Sequence, residues 1–223
     1  RAGYLLCKGQ FMASNPRWRR SLPEWKAYFN HWINKAEPQE LLEFSIFFDF
    51  RPVVGNSELA LDLRNFIHNL LDGQPAFYPH LAQNSLLFKP PTRLPGKIYL
   101  GSSNVEHTGK INLKDAMLPV VNFARLYALH NHIHQVNTLS RLDALVEIQA
   151  LPAASRDEIA VAYDFLMKLR LQQQLTLAKQ GKPLDNVIQP ASLSHLDEVM
   201  LQQAFSQISA VQKKINYDFL GGN

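Results

Sequence analysis

Residues 194–219, SHLDEVMLQQAFSQISAVQKKINYDF, form one long helical pattern near the end of the 223-residue chain. Ser194 with Asp197 is typical of a helix start, because a serine and an acidic residue three positions later satisfy free backbone N–H groups. Apolar side chains then recur every three or four positions and so share one face. They are Leu201, Ala204, Phe205, Ile208, Val211, Ile215 and Phe219. A stripe of this length must pack against other helices, which predicts a helical bundle.

Similar patterns upstream predict a mainly α protein. Ser21 and Glu24 make a capping box for a helix that ends near Lys35. Ser155 and Glu158 make a second box for a helix that ends at Gly181. Further helices are predicted at 57–73, at 76–88, at 117–128 and from 137 or 138 onward. Between them, the alternating runs KIYLG (97–101) and GKINL (109–113) predict a small β-hairpin or two extended edges.

The segment PQELLEFSIFFDFRPVVGN, residues 38–56, is apolar nearly all round and fits either a buried helix or a buried strand. Its length favours the helix, and its run of aromatic residues favours the strand. Asp49 and Arg51 lie within it, and a charge buried there needs a partner or a cavity. The two side chains therefore form either an ion pair or the edge of a phosphate or metal site.

Composition excludes several classes of function. With 46% hydrophobic and 19% charged residues the chain can bury a real core. Its net charge of +4 is small and interspersed, which argues against nucleic-acid binding. No apolar run approaches the ~20 residues that cross a bilayer, so we expect no membrane association. The single cysteine, Cys7, excludes an internal disulfide and favours a cytoplasmic location.

No catalytic centre can be recognised in the sequence. His130, His132 and His134 alternate in LHNHIHQ, but they follow a helical pattern and are best explained as structural or solvent-facing. Glycine-rich phosphate loops, nucleophile elbows and HExxH are missing. We therefore predict no catalytic residue, no metal site and no cofactor within this chain.

Three arginines each lie among leucines on a predicted helix: Arg125 in NFARLYAL, Arg141 in TLSRLDAL and Arg170 in MKLRLQQQL. Each could extend along the bundle surface and keep its charge in water. Together, from three helices, they could converge on an anionic ligand.

Six motifs in order resemble the C-terminal half of a bacterial family of nucleotidyltransferases related to the PII-protein uridylyltransferases. The motifs are CKGQFMASNPRWRRSLPEW, SIFFDFRPVVGNSEL, GKINLKDAMLPVVNFARLYAL, NTLSRLDAL, AYDFLMKLRLQQQ and KPLDNVIQPASLS. The resemblance covers essentially the whole chain. Members of this family often carry cyclic nucleotide-binding and CBS domains ahead of the transferase lobe.

The resemblance implies that the chain is part of a longer polypeptide. Residues 1–36 would be the end of the nucleotidyltransferase lobe, and residues 37–223 the helical substrate-binding domain. The catalytic Asp pair, with its Mg²⁺ and NTP, would lie in the preceding lobe of the same polypeptide, which leaves this fragment inactive alone. A PII-like protein acceptor is the implied partner. The alternative is a non-catalytic interaction or homodimerisation module of a signalling protein.

Candidate substrate-binding residues come both from the residue patterns and from the family resemblance. Lys8 and Arg17 would border the nucleotide cleft, and Asp49 resembles a metal carboxylate of the adenylyltransferases that act on glutamine synthetase. At Lys114 the sequence departs from the family, where a Lys-Arg-Gly-Gly-like turn often stands. The full set is Lys8, Arg17, Asp49, Arg51, Lys114, Arg125, Arg141 and Arg170.

Overall fold

A computed structural model describes residues 9–87 and 110–222 of the chain. The chain divides into two compact units, Arg1–Phe77 and Tyr78–Asn223. Among the described residues the structure is mainly α-helical, with one small antiparallel sheet, as predicted. None of the helices in the described ranges is both long and apolar enough to cross a membrane.

In the described part of the first unit, a short 3-10 turn, Pro16–Trp18, is followed by α1 (Leu22–Lys35), α2 (Pro38–Phe47) and α3 (Glu58–Asp72). The predicted start and end of α1 are confirmed. The Glu24 carboxylate accepts hydrogen bonds from the backbone N–H and the hydroxyl of Ser21, at 2.9 and 2.7 Å. The helix ends because Ala36 adopts a left-handed conformation, with φ of 48°.

The residues that precede Asp49 form a helix and not a strand. Helix α2 ends at Phe47, and Asp49 follows in a turn, half-buried. Arg51 is exposed in the loop before α3. Arg51 is therefore not a buried charge and needs no buried partner, because the chain is exposed from residue 51 to residue 59.

A buried carboxylate joins the helices of this unit. Glu43, only 3% exposed, accepts hydrogen bonds from Arg17 Nη2 at 2.7 and 2.9 Å and from Gln39 Nε2 at 2.9 Å. Trp32 Nε1 donates to the same carboxylate at 3.0 Å. The Arg17 guanidinium also lies 4.4 Å from the centre of the Trp18 ring. The residues before α1, 9–20, which we call the opening stretch, are thus tied to α1 and α2 through Glu43.

The second unit contains α4 (Phe77–Ser85), which begins at the boundary, α5 (Leu113–His130), α6 (Thr138–Glu147), α7 (Ala153–Lys179) and α8 (His195–Leu220). Asn137 caps α6, and Ser194 with Asp197 caps α8, both as predicted. The predicted start of α7 at Ser155 was wrong. The helix begins two residues earlier, after Pro152, because the fixed φ of proline suits a helix entrance.

The stripe of α8 forms the core of this unit. All of its predicted members are buried except Phe219, which is half-buried. Helix α8 packs against α7 and α5, and α5 also packs against α6 and α7. This is the arrangement expected of a helical bundle, since each helix buries one apolar stripe.

The small sheet pairs β1 (Ile111–Asn112) with β2 (Val187–Ile188) in antiparallel register. Strand β1 lies in the predicted GKINL run, whereas KIYLG lies outside the described residues. The strand thus pairs with a segment about 75 positions further along the chain.

Candidate functional site

The C-terminal ends of α5 and α8 border an open groove of about 700 Å³ in the second unit. Its lining combines aromatic, cationic and anionic side chains with the glycines that end α8. The lining residues are Tyr127, His130, Asn131, Ala150, Lys214, Tyr217, Asp218, Phe219, Gly221 and Gly222. Gly221 adopts φ of +64°, which favours glycine, and terminates α8 at the groove.

Three side chains of the groove form one hydrogen-bonded group. The hydroxyl of Tyr127, on α5, donates to Asp218 Oδ2 on α8. Lys214 Nζ, one turn before Asp218, donates to the same oxygen at 2.8 Å and lies 5.4 Å from the centre of the Tyr127 ring. The side chains of Lys214 and Asp218 are 41% and 27% exposed, so a ligand in the groove can reach both.

The surroundings determine the charge of this group. Burial, followed by the hydrogen bond to Asp218, raises the pKa of the Tyr127 hydroxyl well above its ordinary value. Burial alone would raise the pKa of Asp218, but hydrogen bonds from Lys214 and Tyr127 and the nearby His130 lower it below its ordinary value. At neutral pH Tyr127 is therefore protonated and Asp218 is a carboxylate.

Aromatic rings form one wall of the groove. The His130 ring lies 5.4 Å from the Phe219 ring and 5.0 Å from the Tyr78 ring, both edge to face. Phe219 also contacts the Tyr127 ring edge to face at 5.3 Å. Edge-to-face contacts of this kind are a favoured arrangement of aromatic rings. The polar group thus lies beside an aromatic surface.

A second cavity of about 250 Å³ is also lined by Lys214. Its lining includes Ser155 and Glu158 near the start of α7, and Gln207 of α8. Lys214 lines both cavities. One side chain of α8 therefore contributes to the walls of both cavities.

Replacing Asp218 by asparagine is expected to reduce the free energy of unfolding at neutral pH by about 0.5–1 kcal/mol, because a neutral amide accepts weaker hydrogen bonds from Tyr127 and Lys214 than the carboxylate does and solvent screens the lost charge. The pKa of Asp218 is lower in the folded chain than the ordinary value of about 3.9. Its carboxylate therefore stabilises the fold above that pH, and this contribution is lost as the pH falls through the folded-state pKa.

The difference between the original chain and Asp218→Asn should accordingly shrink on acidification. Urea unfolding followed by circular dichroism at neutral pH and at about pH 3 measures it. Asp62→Asn, at an exposed position of α3, is the matched control and should show little difference at either pH. A difference for Asp218→Asn that stays constant with pH would contradict the stabilising role of the carboxylate.

Predicted site residues in the first unit have the following positions. Arg17 binds Glu43, as described above. Asp49 is half-buried in the turn after α2, and Arg51 is exposed in the next loop. Lys8 lies outside the described residues.

In the second unit, Lys114 is exposed in the first turn of α5, and Arg125 is half-buried further along it. Arg141 is 1% exposed, and its Nε donates to the Gln135 carbonyl at 2.7 Å. Arg141 therefore does not keep its charge in water. For this residue, the interpretation that the side chain extends along the bundle surface was wrong. Arg170 Nε donates to Asn186 Oδ1 at 2.8 Å.

The predicted residues of the second unit do not line either of the two cavities that Lys214 lines. Sequence reasoning missed the three members of the hydrogen-bonded group. Lys214 and Asp218 are four positions apart on α8, a spacing that most often marks a solvated ion pair. Nothing in the sequence linked them to Tyr127.

The histidines His130, His132 and His134 also have defined positions. His130 ends α5, and the other two are exposed in the following turn. In the described ranges, no group of three or more His, Cys, Asp or Glu side chains is arranged to hold a metal ion.

The fold and this groove can be compared with known families. The family model described as "putative nucleotidyltransferase substrate binding domain" matches residues 75–219. The chain therefore belongs to this nucleotidyltransferase substrate-binding domain family. A second model, described as "putative nucleotidyltransferase DUF294", matches residues 1–39. Comparison with curated proteins and with solved structures found no significant match.

Proposed function

We propose that the second unit binds the acceptor of a nucleotidyl transfer in the groove formed by Tyr127, His130, Lys214 and Asp218. The observation that carries this proposal is the Tyr127–Asp218–Lys214 group, which presents hydrogen-bond donors and acceptors inside the groove. The groove lies in a chain that belongs to a family of substrate-binding domains. Mostly apolar pockets with a few convergent polar groups are the usual form of ligand sites.

The nucleotidyl transfer itself would take place in another part of the longer parent protein. We propose a catalytic lobe in the same polypeptide, which binds NTP and Mg²⁺ and ends near residue 36 of this chain. The match at residues 1–39 supports this assignment. Fusion to cyclic nucleotide-binding and CBS domains, cytoplasmic location and relation to the uridylyltransferases belong to the same proposal.

The groove suits a protein acceptor, such as a PII-like protein, better than a small apolar molecule. It is open to solvent, and Tyr217, one of its lining residues, is 75% exposed. Lys214 and His130 can bind an acceptor carboxylate, while Asp218 can accept a hydrogen bond from an acceptor hydroxyl or amide. An acceptor with both kinds of group on one surface is the class that this arrangement recognises.

The test is labelling by the full-length parent protein, incubated with each labelled NTP and with a PII-like protein or cell extract. Lys214→Ala should reduce labelling of the acceptor at low acceptor concentration by at least about tenfold, because a charged hydrogen bond is lost. Lys213→Ala is the matched control, since Lys213 is the neighbouring exposed lysine of α8 and does not line the groove.

Two outcomes would contradict parts of the proposal separately. If no NTP labels any macromolecule, the parent protein does not carry out nucleotidyl transfer to such acceptors. If labelling occurs and folded Lys214→Ala labels as well as the original protein, the acceptor binds elsewhere. Loss of labelling in Arg125→Ala and Arg170→Ala instead would favour the arginine face predicted from sequence.

A further inference from the structure

Helix α7 has apolar side chains on two opposite faces. One face is buried in the second unit and carries Ile159, Ala162, Phe165, Leu166 and Leu169. The other face is exposed. It consists of Val161, Asp164, Lys168, Leu171 and Leu175, and we call it the α7 stripe. A surface helix ordinarily has polar residues opposite its buried face.

The exposure of the α7 stripe is large. Val161, Leu171 and Leu175 are 57%, 51% and 59% exposed. The five positions recur at spacings of three and four, which places them along one line of the helix surface over about 21 Å, at 1.5 Å per residue. Such a spacing is typical of a helix that packs against a second helix.

The two charged residues of the α7 stripe indicate which helix packs against it, namely α7 of a second copy. Asp164 and Lys168 are both exposed, and neither forms an ion pair or hydrogen bond among the described residues. In an antiparallel pair of α7 helices, related by a twofold axis level with Leu166, Asp164 of each copy faces Lys168 of the other. Val161 then faces Leu171 of the other copy, and Leu175 faces the exposed Asp157 at the end of the helix pair.

Other arrangements of two copies are less favourable. A parallel pair places Lys168 against Lys168, and an antiparallel pair with its axis level with Lys168 does the same. Like charges that face each other in an interface are unfavourable. The antiparallel register level with Leu166 instead forms two opposite-charge pairs and two apolar contacts.

We propose that the α7 stripe is a homodimerisation surface, on which a second copy of this chain binds through its own α7 in antiparallel register. This surface is independent of the proposed acceptor groove, whose lining residues belong to other helices. One helix pair is a small interface, so we expect weak association, roughly in the micromolar range.

Charge reversal tests the register directly in the 223-residue chain. Sedimentation equilibrium should show a monomer–dimer equilibrium for the original chain. Asp164→Lys alone and Lys168→Asp alone should each weaken dimerisation by at least about tenfold, because like charges then face each other. The double variant D164K/K168D should dimerise again, since the opposite-charge pairs are re-formed.

Mixing the two single variants gives a further test, because Asp164→Lys and Lys168→Asp chains should form a heterodimer with all pairs restored. Lys213→Asp is the matched control on α8 and should dimerise as the original chain does. All these positions are exposed, and circular dichroism verifies that each variant is folded. A chain that stays monomeric at roughly 200 µM, or a double variant no better than the single ones, would overturn the proposal.

Discussion

Replacing Arg17 by alanine is expected to destabilise the first unit by about 2–4 kcal/mol. The reason is the position of its partner, because the Glu43 side chain is only 4% exposed whereas that of Arg17 is 49% exposed. Without the guanidinium, Glu43 remains a buried carboxylate with only the neutral donors of Trp32 and Gln39. The free energy of unfolding can be followed by tryptophan fluorescence, since Trp18, Trp25 and Trp32 all lie in this unit.

A double variant separates the two possible causes of this loss. In R17A/E43Q the uncompensated charge is removed, while the amide oxygen can still accept from Trp32. This variant should therefore be more stable than Arg17→Ala alone. Arg19→Ala, an exposed neighbour, is the control and should change stability by no more than about 0.5 kcal/mol. An Arg17→Ala chain as stable as the original would show that the ion pair does not hold the opening stretch.

Replacing Arg141 by alanine is expected to destabilise the second unit by about 3 kcal/mol. Arg141 is among the largest fully buried side chains of the described residues. Its truncation therefore leaves a cavity beside α6. It also removes the donor to the Gln135 carbonyl, at the turn before α6. Urea unfolding followed by far-ultraviolet circular dichroism measures the change.

Arg141→Met is the informative comparison, because methionine fills much of the same volume without the charge. We expect it to recover part of the lost stability while leaving the Gln135 carbonyl without its donor. If both variants were as stable as the original chain and only acceptor labelling were lost, Arg141 would be a recognition residue, as the sequence-based hypothesis proposed. Loss of stability in both instead identifies it as part of the core.

The helices of this protein could be predicted because their signals are local. The start of α1 depends on Ser21 and Glu24, three positions apart, and the start of α8 on Ser194 and Asp197. Where a local signal competed with another, prediction was less accurate. Ser155 and Glu158 resembled a capping box, but α7 begins directly after Pro152. Ser155 and Glu158 line a cavity instead.

The candidate site could not be predicted in the same way. The arginines chosen from sequence stand out because they are charges among leucines, and the structure shows Arg141 and Arg170 bonded within their own unit. Lys214 and Asp218 did not stand out, since charged residues four positions apart on a helix are common on surfaces. Their importance depends on Tyr127, which is 91 positions from Asp218.

The sequence by itself determined the helical class, most helix boundaries and the stripe that α8 buries, because these depend on residues within one or two helical turns. Only the tertiary structure decided that Glu43 anchors the opening stretch, that β1 pairs with β2, and that α5 and α8 bring a tyrosine, a lysine and an aspartate into one groove. Contacts between distant segments depend on how whole helices pack, and packing is set by the sum of many apolar contacts.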